Sequence, residues 1–257
     1  MASMDEFTAG VPDYGNWVSL RLIFVFGVLA AVFLVLIYFF LVSLVGFTVF
    51  FVVFCYFVYA RFLFSARGGD VQAKIQQLVL DRLDWDGNGK AVDIGCGNGP
   101  LAIRLAKLLQ EAQVIGVDYW GRSWDYSKDV CEKNAEVEGV SDRVNFKKAS
   151  ASALPFDDGF FDAAVSNLCF HEVSDTADKR AVIKEALRVV RKGGRFAFQD
   201  LFLEKRIYGE VDDLLKAIKS WDVESVEFVD TSRSGFIPAS LRLPFMVGTI
   251  SILYGKR

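Results

Sequence analysis

Ala91-Val-Asp-Ile-Gly-Cys-Gly-Asn-Gly-Pro100 joins a short apolar run to three alternating glycines and then a proline. The apolar run has the length and composition of a buried strand, and a helical pattern starts at Leu101. Gly95, Gly97 and Gly99 let the backbone turn sharply and approach a ligand that a Cβ would hold off. Pro100 suits the first turn of the following helix, where its missing N–H costs nothing. It also stands where the third glycine of a dinucleotide-binding loop would fall, so the spacing is GxGxG rather than GxGxxG. Asp93, just before the turn, would meet a cationic group. A pyrophosphate site keeps that place free of negative charge, so the acid favours a ligand carrying an ammonium group over NAD. The plain alternative is a glycine-rich structural turn, in which Cys96 is a small packing residue.

Working outward, Val114-Ile-Gly-Val-Asp118 reads as a second strand ending in an acid that can accept hydrogen bonds from both hydroxyls of a ribose. Tyr119 or Trp120 beside it would lie against an adenine face. Beyond these, strands and helices alternate: a helix from about Ser127, strands Val144–Lys147 and Phe161–Ser166, a helix over Ala177–Val190, strand Arg195–Asp200 and a helix over Val211–Ser220. Gly193-Gly194 reads as a turn before that strand. The alternation predicts an α/β fold with a doubly wound, mainly parallel sheet, whose ligands sit beyond the carboxyl ends of the strands. Ser225–Thr231 and Gly248–Tyr254 leave no room for a helix between them and suggest an antiparallel hairpin at one edge.

These motifs resemble class I S-adenosylmethionine-dependent methyltransferases, close to the small-molecule and quinone subgroup. The likeness rests on Asp93 to Gly99, Asp118, Leu154-Pro-Phe156 with Phe161-Asp162, and Leu187 to Arg195, and covers about residues 70–257. It implies a Rossmann-like seven-stranded sheet with a reversed last strand, and S-adenosyl-L-methionine as cofactor. It assigns Asp93 and the loop of Gly95, Cys96, Gly97 and Gly99 to the methionine end, Asp118 to the ribose, the segment before Leu154, with Ser150 and Ala151, to the adenine, and Asn167 to the wall near the methyl donor. Ser150 departs from the family pattern, in which an Asp accepts from the adenine amino group, so that contact must be weaker or rerouted through the hydroxyl and the backbone of Ala151.

His171, the only histidine, falls in the loop after the fourth strand, where a methyl acceptor would approach. Its ordinary pKa suits proton removal near neutrality, which makes it the candidate catalytic base. Lining the pocket and holding the loop are the other two roles open to it. Phe236–Met246, apolar with two prolines, is either a lid, a bilayer contact with Arg242 at headgroup level, or a loop packed on the sheet edge.

The 257 residues are 53% hydrophobic and 24% charged, and half of the 24 Phe fall between Phe24 and Phe64. Leu22 to Ala60 holds no charge and is flanked by Arg21 and Arg61. As one helix this run would reach ~58 Å, about twice a ~30 Å hydrocarbon core. Two transmembrane helices broken near Ser43–Gly46 fit better, giving a tail (1–19), a hairpin (20–64) and a catalytic domain (65–257). Ser65–Gly69 reads as a flexible hinge and Val71–Leu83 as an amphipathic helix. Arg61, Arg67, Lys74 and Arg82 follow the second span, which places the domain on the cytoplasmic side of an integral membrane protein. Tyr14, Trp17, Tyr56 and Tyr59 suit the interfacial belt. Gly27, Ala30, Ala31 and Gly46 would permit close helix contact between chains, and so a homo-oligomer. A net charge of −3 gives no footprint for nucleic acid. The four scattered cysteines and one histidine offer no metal site. The expected partners are the lipid bilayer and a small-molecule acceptor.

Overall fold

The computed structural model describes residues 10–121 and 126–257. Residues 1–9, the start of the expected tail, lie outside the described residues. The chain divides into two compact units, Asn16–Ile75 and the remainder.

The first unit is built on α1 (Leu20–Leu36) and α2 (Ser43–Phe64). Ser19 caps α1 by accepting from the Arg21 N–H at 3.1 Å. The break between the helices falls at residues 37–42, earlier than Ser43–Gly46. Gly46 lies inside α2 because it is a packing position and not a turn: a Cβ there would stand 2.3 Å from the Phe33 ring. Phe33–Phe50 and Phe26–Phe57 meet at 5.3 and 5.5 Å, and Gly27 approaches Phe54. Gly27 and Gly46, expected to serve contacts between chains, are therefore used to close the hairpin on itself. Its outward side chains are apolar, Phe24 being 71% and Val45 67% exposed.

Of the two expected spans, α2 alone among the described residues is long and apolar enough to cross a membrane. The 17 residues of α1 reach about 26 Å, short of a ~30 Å core. Trp17 packs edge-on against Phe64 at 5.3 Å, and Asn16 Nδ2 donates to the Arg61 carbonyl at 3.0 Å. The expected hinge after α2 is a hydrogen-bonded turn, in which the Gly68 and Asp70 N–H groups both donate to the Ser65 carbonyl at 3.0 Å. It leads into α3 (Val71–Leu80).

The second unit carries β1 (Gly89–Ile94), α4 (Pro100–Leu108), β2 (Ala112–Asp118), α5 (Lys128–Val137), β3 (Val144–Lys148), β4 (Phe161–Asn167), α6 (Lys179–Arg188), β5 (Val190–Asp200), α7 (Lys205–Tyr208), α8 (Val211–Lys219), β6 (Ser225–Asp230) and β7 (Ser251–Lys256). They form a seven-stranded sheet in the order β3-β2-β1-β4-β5-β7-β6. β1 to β5 pair in parallel, and β7 runs antiparallel between β5 and β6. The central strands are apolar because helices cover both faces. Phe161, Phe196, Phe198, Val182, Ile183 and Leu187 are buried in one cluster, and Ala91, Val114, Ile103 and Leu105 in the other.

β5 begins earlier than the expected Arg195. Its register against β4 slips, Val190 facing Phe161 while Arg195 faces Ala163, and Gly193 at φ 78° occupies the irregular stretch expected as a turn. A 3-10 turn at Phe170–Glu172, α7 and a second 3-10 turn at Ala239–Leu241 are too short for hydrophobic periodicity to announce. The Phe236–Met246 segment packs onto the unit through fully buried Leu241 and Ile237, and Arg242 Nε donates to the Ile237 carbonyl at 3.0 Å. Phe245 stays 66% exposed at its tip. The strand order reverses between β1 and β4, which opens a crevice at their carboxyl ends.

Candidate active site

The glycine loop lies at this crevice. Gly95, at φ 76°, comes so close to the loop after β4 that a Cβ would stand 2.2 Å from Cys169 Cβ. Gly99, at φ 82°, ends the loop as the residue before α4, with Pro100 in the first turn. The Gly95 and Cys96 N–H groups donate to the Val117 carbonyl at 2.7 and 3.0 Å, tying the loop to β2. The Cys96 carbonyl also accepts the Gly99 N–H at 2.8 Å, closing the turn. The Cys96 side chain belongs to the core, and burial pushes the thiol well above its ordinary range.

The two acids that flank the loop differ in setting. Asp93 is 1% exposed, and its Oδ2 accepts from the Ala102 N–H in α4 at 2.9 Å. Burial pushes its pKa to about 7, opposed by that N–H and reinforced by the charge of Asp118. It therefore sits beneath the loop as a floor, rather than open to the crevice. Asp118, at the end of β2, accepts from the Gly97 N–H at 2.9 Å with Oδ2 and from the Trp120 N–H at 2.7 Å with Oδ1. Burial raises its pKa against the pull of these N–H groups. Trp120, at φ 45°, turns back so that its indole N–H donates to the Gly97 carbonyl at 2.9 Å. Of the two aromatics proposed for the adenine face, Tyr119 is the exposed one.

On the far side of the crevice, β4 ends at Asn167, whose buried Oδ1 has no hydrogen-bond partner. An orphaned acceptor here fits a site built for a ligand. Leu168 follows at φ 54°, a left-handed conformation costly for a branched side chain, held by its N–H to the Gln199 carbonyl at 2.8 Å. Ala151 is buried, and Ser150 is engaged with Ser152 and Asp175.

His171 has a buried partner that sequence reasoning did not single out. Asp200, at the end of β5, accepts His171 Nδ1–H at 2.7 Å with Oδ1. The same carboxylate accepts from the Leu201 N–H at 2.7 Å and the Phe170 N–H at 2.8 Å. His171 Nε2 lies 3.4 Å from Glu172 Oε1. Burial pulls the imidazole pKa down, but the Asp200 and Glu172 carboxylates outweigh it and raise the value to about 10. The paired carboxylates thus favour the imidazolium, the form that donates, over the neutral ring that a base poised near neutrality requires.

Another contact escapes sequence reading altogether. Asn134 accepts the Asp13 N–H at 2.8 Å and donates to the Asp13 carbonyl at 2.8 Å. It also holds the Asn98 carbonyl of the glycine loop at 3.0 Å, and Asn98 Nδ2 reaches the same Asp13 carbonyl at 3.2 Å. Both amides are 2% exposed. Tyr14, expected in an interfacial belt, instead donates its hydroxyl to Glu138 at 3.1 Å.

Residues 92–198 match the sequence profile of the family described as Methyltransferase domain. Over that stretch the chain is similar to class I S-adenosylmethionine-dependent methyltransferases. Over 139 residues the chain is 36% identical to 27-O-demethylrifamycin SV methyltransferase of Amycolatopsis mediterranei, covering 54% of this chain and 48% of that protein. It is 32% identical over 152 residues to demethylmenaquinone methyltransferase of Roseiflexus castenholzii, covering 54% and 58%. The chain spans about half the length of the curated relatives it matches. Geranyl diphosphate C-methyltransferase from Streptomyces coelicolor A3(2), solved with Mg2+, geranyl diphosphate and S-adenosyl-L-homocysteine, superposes with a TM-score of 0.56 at 16% identity. The match covers 75% of this chain and 81% of that one, a likeness of fold. The glycine loop follows β1, and Asp118 and Asn167 end β2 and β4, so all three stand at the carboxyl ends of strands beside the reversal in strand order, where a ligand of this fold would sit.

Proposed function

We propose that this protein is a membrane-anchored methyltransferase that moves the methyl group of S-adenosylmethionine to a small, apolar, quinone-like or lipid-like acceptor. The observation that carries the transferase reading is the convergence of the glycine loop, Asp118 and the orphaned Asn167 Oδ1 at the strand-order reversal. The cofactor supplies an electrophilic methyl on a sulfonium. Asp118 holds the ribose hydroxyls, the loop from Gly95 to Gly99 admits the methionine end, and Asn167 Oδ1 accepts a hydrogen bond beside it. Such an in-line displacement is accelerated chiefly by holding donor and acceptor in line, which needs position more than covalent help from the protein.

An acceptor oxygen that arrives ionised needs no base, and the protonated His171 ring favours that anion by charge and by donation. If so, activity falls as pH rises through about 10, where the ring loses its proton, and His171→Gln loses that limb. A rate that instead climbs through the same range would mark His171 as a base and overturn the assignment.

The anchor reading is supported by the apolar exterior of the hairpin and by the length of α2. Basic residues after α2 favour a domain facing the cytoplasm. The demethylmenaquinone methyltransferase among the relatives supports an apolar acceptor. The test is transfer of a labelled methyl group by the full chain in vesicles, offered a membrane lipid extract and, separately, soluble metabolites and proteins. Label is expected in the lipid extract. Label in the soluble fractions alone would replace the acceptor class, and a chain that fails to float with vesicles would remove the anchor.

A further inference from the structure

β7 runs antiparallel to both β5 and β6, so β6 points the same way as the parallel strands. Asp200, which ends β5, and Asp230, which ends β6, both face Ser251 at the start of β7. The connection from Thr231 to Ile250 therefore lies along the same rim of the sheet as the candidate crevice. β7 is two strands beyond β4, about 10 Å along that rim at ~4.8 Å per strand.

This connection carries a tip that is apolar, exposed and held at both ends. Leu241, Val247 and Ile250 are buried on either side of it. Between them the Met246 and Gly248 N–H groups donate to the Leu243 carbonyl at 2.9 and 3.0 Å, and the Val247 N–H to the Leu241 carbonyl at 3.1 Å. Gly248 lets the chain close so tightly that a Cβ would stand 2.4 Å from the Arg242 carbonyl oxygen. The resulting turn presents Leu243-Pro-Phe245 outward, with Phe245 66% and Leu243 37% exposed. A lid swings on hinges that absorb backbone rotation. Here both flanks are packed and hydrogen-bonded.

The charge around the tip has one sign. Arg242 stands at its base, donating from Nε to the Ile237 carbonyl at 3.0 Å and from Nη2 to the Ser234 carbonyl at 3.4 Å. Arg233 is exposed nearby in the chain, and Thr231 to Ile250 contains no acid. A single exposed leucine or phenylalanine is ordinary. A fixed apolar turn with arginines beside it has the chemistry of a lipid contact, in which the apolar side chains enter the acyl boundary and the guanidinium groups stay with the phosphates.

We propose that the Leu243–Phe245 tip docks on the surface of an anionic lipid bilayer and turns the rim that holds the crevice toward the membrane. The proposal rests on the anchor reading above. A tether brings a catalytic unit to a bilayer without choosing which of its faces meets the lipid, and the tip makes that choice. An apolar acceptor then reaches the rim from the bilayer rather than through water.

The experiment places an environment-sensitive thiol-reactive fluorophore at position 245 through Phe245→Cys, in the full chain with Cys55→Ser. The Cys55→Ser chain alone supplies the labelling background, and thermal unfolding checks that each variant folds. In vesicles of mixed phosphatidylcholine and phosphatidylglycerol, doxyl-labelled phosphatidylcholine is expected to lower emission at 245 about twofold or more, because a tip seated ~5–10 Å into the headgroup and acyl boundary lies within its reach. The same label introduced by Lys192→Cys, on the opposite rim near the start of β5, should keep its emission, the Lys192 side chain being 78% exposed. Arg233→Glu should weaken the quenching at 245, and no change would overturn the part given to the arginines. Equal response at 245 and 192 in chains that float with the vesicles overturns the proposal. So does emission at 245 that ignores the doxyl lipid and shifts on adding S-adenosylhomocysteine, the mark of a lid. A chain that fails to float would instead bring down the anchor reading, and the proposal with it.

Discussion

Asp118→Ala is expected to weaken S-adenosylhomocysteine binding by about a hundredfold, measured by calorimetry on the full chain. Two hydrogen bonds from ribose hydroxyls to a charged acceptor, at about 1.5 kcal/mol or more apiece, are together worth about 3 kcal/mol. The carboxylate also organises protein groups, since Oδ2 holds the Gly97 N–H and Oδ1 the Trp120 N–H. Its loss therefore loosens the glycine loop as well as the ribose contact. Asp118→Asn, which retains one acceptor oxygen, should fall between the two. Unchanged affinity in Asp118→Ala would place the ribose elsewhere.

Asp93→Asn should move stability and affinity in opposite directions. The folded protein raises the Asp93 pKa from an ordinary 3.8 to about 7, so the native state favours the protonated acid. Stability from this group is present below about pH 4 and is lost as pH rises to about 7, a difference of at most about 4 kcal/mol. An asparagine escapes this loss and can still accept from the Ala102 N–H. The variant should therefore be more stable than the unaltered protein at pH 8 in urea unfolding, by about 2–4 kcal/mol, with no difference near pH 4. Cofactor binding should suffer, because an ammonium group above the loop favours the ionised acid beneath it. In the unaltered protein, binding near pH 6 should release a proton, detected as a buffer-dependent heat, and the variant should release none. Identical heats in the two proteins would sever Asp93 from the cationic end of the ligand.

The sheet and the strand ends that frame the candidate site are legible because their signals are local. A strand, a glycine loop and a helix start follow one another between Gly89 and Leu108, and Asp118 closes the very next strand. What stayed hidden lies far apart in the chain. Ser150 and Asp175 are separated by 25 positions, His171 and Asp200 by 29, and Asp13 and Asn134 by 121. No periodicity carries such pairings. His171 was found but its charge was not, because its pKa is set by a carboxylate brought from the neighbouring strand. Gly46 was misplaced for a different reason: a glycine that breaks a helix and one that admits an aromatic ring look alike in sequence, and only the position of Phe33 tells them apart.

The clasp formed by Asn98 and Asn134 bears on how the protein can be handled. A chain shortened to begin after α2, the obvious way to obtain the enzyme without detergent, would also discard Asp13. Two nearly inaccessible amides beneath the glycine loop would then each lose a partner, Asn134 Oδ1 its donor and Asn98 Nδ2 its acceptor, at about 1–3 kcal/mol for each group left unsatisfied. Solubilised fragments would accordingly under-report the cofactor affinity of the intact molecule, and a peptide spanning residues 10–16 added back in trans should recover part of it.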